Sequence, residues 1–170
     1  MCDVITLAQQ QGLWSHICDA VRQQNVNNYA HILDQVARLP VKRSRATRIL
    51  GCYVSRQSQP WCVRLQFDQE PEQLRQTLLH EIAHVLDHLV NFSGQPYRGA
   101  HCSGWQVWAT ALGISTCRTG HSEVVARQYR QRQKLVAVCS GCGESIYRLR
   151  RLDRNRSYIH ASCGSLLRPI

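Results

Sequence analysis

Leu78-Leu79-His80-Glu81-Ile82-Ala83-His84-Val85-Leu86 is the stretch whose reading decides the fold. His80 and His84 are four residues apart, so on a helix they share one face and can reach a single metal ion. Working outward, Leu74, Leu78, Leu79, Ile82, Val85, Leu86 and Leu89 form a broad apolar face. Glu70-Pro71 opens the segment, with proline suited to a first helical turn, and the helix is predicted to run to about Val90. A helix this apolar passes through a core, and a core does not hold His, Glu and His together without a partner. A metal ion is that partner in the His-Glu-x-x-His arrangement, where Glu81 can take a proton from the attacking water and pass it to the leaving group.

A catalytic zinc site needs three protein ligands and an open position. His88 continues the stripe, but it lies about 12 Å along the axis from His80, too far to share an ion. A metzincin would carry Gly at 87 and His at 90, where this chain has Asp87 and Val90. A Glu ligand some twenty residues beyond His84 is also missing, since position 104 is Gly. His101 fits best, standing after a Gly-rich loop and before a helix; His121 and Glu123 are weaker alternatives. Asp87 and His88 are expected to lie around the site or at the surface, with Asp87 a possible hydrogen-bond partner of a ligating imidazole.

Upstream, Ile5 to Val21 has helical spacing, and Tyr29 to Leu39 reads as a second helix stopped by Pro40. Lys42 to Arg48 is expected to be a basic connection. Ile49–Ser55 and Trp61–Phe67 read as a hairpin broken at residues 56–60. Downstream, Asn91–Gly99 is a loop, and Ser103–Leu112 a helix ended by Gly113. Residues 123–134 are expected to form a basic linker helix between a domain at 1–122 and a small module at 135–170.

That module holds Cys139-Ser140-Gly141-Cys142-Gly143 and His160-Ala161-Ser162-Cys163-Gly164, the pattern C-x2-C-x17-H-x2-C. Cys139, Cys142, His160 and Cys163 therefore read as a four-ligand structural zinc site. The segment has only 36 residues, too few for an independent core, and a metal supplies what is missing. Cys2, Cys18, Cys52, Cys62 and Cys117 read as ordinary thiols. Two zinc ions per chain are the expectation.

The net charge of +10 is uneven. Residues 1–123 hold 11 basic and 9 acidic side chains, and residues 124–170 hold 10 and 2. So basic a tail points to a polyanion, and to DNA before a membrane. Arg148, Arg150, Arg151, Arg154 and Arg156, with Tyr147 and Tyr158 interleaved, are the candidate nucleic-acid contacts. No run approaches about 18 apolar residues, and no secretory leader is evident, so a cytosolic or nuclear monomer off the membrane is expected.

The run Gly99-Ala100-His101-Cys102-Ser103-Gly104-Trp105, following His80-Glu81-Ile82-Ala83-His84, resembles the SprT-like (Spartan-type) zinc metallopeptidase family. Trp61-Cys62-Val63-Arg64-Leu65 is similar to the strand before that family's active-site helix, and the resemblance covers roughly residues 45–165. Cys102 stands where the family usually has Gly, and His160 where its ribbon usually has Cys. The resemblance implies an α+β zincin-like domain followed by a zinc ribbon, with His101 as third ligand. It further implies proteolysis of DNA-associated or DNA-crosslinked proteins. The competing reading is a non-catalytic DNA-binding protein on the same scaffold. Tyr97 and Arg98 are the nearest candidates for stabilising an oxyanion.

Overall fold

The computed structural model describes residues 2–46, 49–116 and 120–170. The chain is α+β, with six helices and two small sheets among those residues, and it divides into two units, Met1–Val125 and Ala126–Ile170. Among the described residues no helix is long and apolar enough to cross a membrane. Cys117, and Thr47-Arg48 of the basic connection, lie outside the described residues.

In the first unit, the Asp3 carboxylate accepts the Thr6 N–H at 2.9 Å and caps helix α1 (Val4–Gln10). The single helix expected over Ile5–Val21 is in fact two. Gly12 takes φ +67°, a left-handed conformation that ends a helix, and the chain restarts as α2 (Trp14–Gln23). Helix α3 (Tyr29–Arg38) ends before Pro40, as its sequence predicts. The basic connection is also revised, because its first residues lie in a strand. In β2 (Pro40–Arg43), Val41 is buried and pairs with Val63, while Lys42 and Arg43 follow it and pair with Arg64 and Leu65. Four residues are too few to display a strand period. The partner on its far side, β1 (Cys2–Asp3), has only two.

The hairpin forms with a tighter turn than the polar break suggests. Strands β3 (Gly51–Arg56) and β4 (Gln59–Leu65) are joined by Gln57 and Ser58, both at positive φ. The sheet order is β1-β2-β4-β3, with β2 and β4 parallel and the other pairs antiparallel. β3 is therefore an edge. Helix α4 (Pro71–Asn91) touches β3, β4 and α3, and it packs along α5 (Ser103–Ala111). Leu78, Ile82, Val85 and Leu86 of α4 are fully buried with Val63, Leu65 and Trp105. The same helix buries Glu81, His84, Asp87 and His88, so its apolar face carries the site through the core.

Helix α6 (Glu123–Arg132) contains the division between the units. In the second unit β5 (Lys134–Cys139) is flanked by β6 (Ser145–Arg148) and β7 (Leu167–Pro169), both antiparallel. Its core is five buried side chains: Val136, Ala137, Cys139, Leu152 and Leu167. Such a core is small, and the module needs a further tie.

Candidate metal centres

Three imidazoles converge in the first unit. His80 and His84 come from successive turns of α4, and His101 comes from the loop before α5. His101 takes φ +58°, an unusual conformation for a residue with a side chain. Its Nε2 lies 3.0 Å from Nε2 of His80, and one nitrogen from each of the three rings falls within 4.8 Å of the others. Nitrogens at about 2.0–2.1 Å from a tetrahedral zinc are about 3.4 Å apart, so the set fits such an ion. Buried Trp105 walls the trio, its ring 4.8, 5.4 and 4.5 Å from those of His80, His84 and His101. Burial, reinforced by the neighbouring rings, lowers His80 to about 4 and His84 to about 3. Both are neutral at ordinary pH and offer lone pairs rather than charge.

Which nitrogen His84 offers is set by a chain of hydrogen bonds. A carboxylate can only accept, so the Tyr97 hydroxyl, 2.9 Å from Asp87 Oδ2, donates to it. The Tyr97 oxygen in turn accepts from His84 Nδ1–H at 2.9 Å, which leaves Nε2 with the free lone pair. Asp87 is fully buried and is also bound by Asn91 Nδ2 at 2.7 Å. It serves a ligating imidazole as the sequence suggests, though through Tyr97 rather than directly. The Tyr97 hydroxyl is thereby committed to Asp87 and His84. Arg98 is exposed and is not among the residues that line the cleft.

His88 holds the frame. Its Nε2–H donates to the Gln95 carbonyl at 3.0 Å, so Nδ1 is the acceptor for the Tyr53 hydroxyl. The ring is 1 % exposed, which excludes a surface role. Tyr53 thus joins edge strand β3 to α4 twice, because its backbone N–H also donates to Glu81 Oε2 at 2.6 Å. Sequence reasoning passed over this residue, since nothing local marks it. Burial raises Glu81 to about 7, opposed by that N–H, and a cation beside it would pull it back down. Gly51 is what lets β3 approach so closely. A Cβ there would sit 2.7 Å from Glu81 Oε1 and 2.5 Å from Thr77 Cγ2.

Glu81 and the three histidines open into a cleft of about 820 Å³, lined by β3 on one side and by residues around His101 on the other. His121 is also at the cleft, paired with Glu123 at 2.7 Å, but both are exposed and neither joins the imidazole group. Cys52 is a further lining residue, Cys62 is buried in the sheet, and Cys2 and Cys18 are half-buried.

The second unit gathers Cys139, Cys142, His160 and Cys163, with their ligand atoms within 4.8 Å of one another. Cys139 Sγ and Cys163 Sγ are 3.3 Å apart, and His160 Nδ1 lies 3.3 Å from both Cys142 Sγ and Cys163 Sγ. His160 Nε2 meets the Glu144 carboxylate at 3.3 Å, and that contact turns Nδ1 inward as the lone pair. Glu144 is the supporting residue the sequence did not single out. Gly143 and Gly164, each directly after a cysteine, take φ +75° and +72° and close the two turns. The Ser165 backbone N–H, helped by Cys139, lowers the Cys163 thiol to about 6, toward the thiolate a metal requires. Both groups are possible metal sites with the donor chemistry of zinc.

Arg148, Arg150, Arg151, Arg154 and Arg156 are all exposed, with Arg156 paired to Asp153 at 3.6 Å. Tyr147 is 54 % exposed. Tyr158 instead packs on the small core, and its hydroxyl accepts the Asp153 N–H at 3.1 Å, so its ring is a structural element. Compared with known proteins, the chain matches no family model, no curated protein and no solved structure.

Proposed function

We propose that the first unit is a zinc-dependent metallopeptidase of SprT-like type on a zincin-like scaffold, and that the second is a zinc ribbon. The observation that supports this best is the juxtaposition of the His80, His84 and His101 nitrogens with buried Glu81 at the floor of an open cleft. His80, His84 and His101 would hold the catalytic ion, and Cys139, Cys142, His160 and Cys163 the structural one. A zinc ion in the first site supplies Lewis acidity to a carbonyl and to water. The rest falls to the chain's own groups. Tyr53 N–H fixes Oε2 of Glu81, leaving Oε1 to accept the proton of the attacking water and deliver it to the leaving amine. Asp87 and Tyr97 hold His84 in the tautomer that presents Nε2, and Trp105 keeps that side of the trio dry.

DNA-associated proteins are the proposed substrates, on the strength of the exposed arginines of the second unit and the resemblance of the motifs. A non-catalytic DNA-binding protein would have no need of Glu81, a costly buried carboxylate beside the metal group. The test is Glu81→Gln, which keeps size and removes the proton acceptor. Both zinc ions should remain on metal analysis, while cleavage of a DNA-bound protein falls by a factor on the order of 10² to 10⁴. Cleavage at the wild-type rate would refute the assignment.

A further inference from the structure

The sheet of the first unit carries a second feature that the metal site does not use. Lys42 of β2 is level with Arg64 of β4, and Cys52 of β3 pairs with Arg64. These three share the face opposite to Val41, Val63 and Leu65, which are buried in the core. On a regular ladder Trp61 would point with Val63 into that core. The β3–β4 register breaks there: Val54 pairs with Cys62 and Ser55 with Pro60, so Trp61 is the extra residue of a bulge. Bulges re-aim side chains, and the indole is met by cations from three strands. Lys42 Nζ is 3.8 Å from the ring centroid, the Arg56 guanidinium carbon 3.4 Å, and that of Arg64 6.0 Å.

Gathering three cations on one ring costs repulsion, and each exposed cation–π contact returns only about 0.5–1 kcal/mol. Among the described residues no ion pair is recorded for Lys42, Arg56 or Arg64. Adjacent Arg43, by contrast, is paired to Asp68 at 3.2 Å. The ring therefore holds uncompensated charge in fixed positions, an arrangement suited to discrete anionic groups that guanidinium can grip bidentately. Peripheral membrane attraction usually rests on a larger polybasic cluster beside an inserted amphipathic helix, whereas this face is a sheet.

We propose that the Lys42–Arg56–Arg64 cluster organised by Trp61 is a binding site for the phosphodiester backbone of a nucleic acid. The site needs neither metal nor catalysis, so it stands or falls apart from the peptidase reading. It also gives a nucleic-acid contact to residues 1–123, whose 11 basic and 9 acidic side chains nearly cancel. Net charge averages away a local patch.

The experiment measures binding of the full chain to a labelled single strand and a duplex of equal length between 50 and 200 mM salt. Lys42→Ala/Arg56→Ala/Arg64→Ala should flatten the log–log salt slope by about 2 on the single strand or about 2.7 on the duplex. Over that fourfold salt range, wild type should lose about 20-fold more single-strand affinity than the variant does. Charge-keeping Arg56→Lys/Arg64→Lys should restore most of the slope. Arg148→Ala/Arg150→Ala/Arg151→Ala/Arg154→Ala, in the second unit, should lower it additively with the triple variant. Should the triple variant be poorly folded by circular dichroism, Arg56→Gln alone, at an exposed side chain, should flatten the slope by about one contact. Wild-type slope and affinity in the folded triple variant, or in Arg56→Gln where the triple variant is poorly folded, would overturn the proposal. So would tighter binding of wild type to phosphatidylserine vesicles than to either DNA, lost with the same substitutions, since the face would then be a membrane contact.

Discussion

Tyr97→Phe removes one oxygen from a site whose ligands it leaves in place. In the wild type that oxygen accepts from His84 Nδ1–H and donates to Asp87 Oδ2, each at 2.9 Å. Asp87 is fully buried and His84 is 8 % exposed, so water does not readily replace the lost partner of either. Asp87 keeps Asn91, which softens its loss, while His84 keeps its ring packing on Trp105 but loses the hydrogen bond that sets its tautomer. An unsatisfied buried group costs about 1–3 kcal/mol, and a neighbour that orients a metal-bound imidazole is worth about 10–100-fold in affinity. Phe should therefore lower stability by about 1–3 kcal/mol in urea unfolding of the metal-free chain. Zinc affinity at the histidine site, measured by chelator competition, should fall by about 10–100-fold, with the cysteine site unchanged. Nitrogen NMR of wild type should find the proton of His84 on Nδ1. A proton on Nε2, or zinc affinity unchanged in Tyr97→Phe, would refute the argument that Asp87 sets the tautomer through Tyr97.

Other consequences follow from the same geometry. Gly51→Ala places a Cβ 2.7 Å from Glu81 Oε1 and 2.5 Å from Thr77 Cγ2, so β3 must retreat from α4. Cleavage should fall while both metals are retained, at a stability cost of about 1–3 kcal/mol for overpacking, read by metal analysis and thermal unfolding together. Glu144→Gln weakens the acceptor for His160 Nε2–H, and chelator should then strip the cysteine site about 10-fold more readily, with the histidine site as internal control. Glu70 is held down to about 2 by the Ser122 hydroxyl and by backbone N–H groups, including that of Val124 at the start of α6. A depressed carboxyl stabilises fully above its ordinary value of 4.5, and that contribution disappears as pH falls through about 2. Amide exchange at Val124 should accelerate over that interval in wild type and be pH-independent, beyond the intrinsic rate, in Glu70→Gln.

What could be read from the sequence was whatever lies at a fixed spacing on one element. His80, Glu81 and His84 fall on one helix, and the two Cys-Gly turns repeat a short pattern, so both metal groups were legible in outline. His101 was legible only by elimination, because its place depends on a left-handed residue in a loop. Of the partners of these ligands only Asp87 was legible, and without the Tyr97 hydroxyl that links it to His84. Tyr53 and Gly51 belong to a strand that meets the helix only in the folded chain. The break at Gly12 was hidden because α1 and α2 keep burying residues at similar spacing across it. Strand β2 was hidden by its length, and Lys42 and Arg43 disguised it as a linker.

The two metal groups solve one problem with opposite nitrogens. An imidazole can bind a cation only through the nitrogen that lacks a proton, and a neutral ring in isolation does not commit itself strongly to either tautomer. His84 is forced to present Nε2, because its Nδ1 is occupied by Tyr97 backed by buried Asp87. His160 is forced to present Nδ1, because Glu144 sits at its Nε2. The choice follows the element that carries each ring. On a helix Nε2 reaches beyond the apolar face into a cleft, whereas in the tight turn after Ile159 only Nδ1, nearer the backbone, meets Cys142 and Cys163. The backing differs as well. Asp87 lies at 0 % exposure, and its carboxylate can leave neither Tyr97 nor Asn91 without an unpaired buried charge, so the His84 tautomer is rigidly held. Glu144 is exposed and its contact is screened, so the hold on His160 rests more on the two closed turns than on the carboxylate. A site that keeps one position open for chemistry gains most from a ligand that cannot rotate, whereas a site closed by four ligands is held by its own chelation.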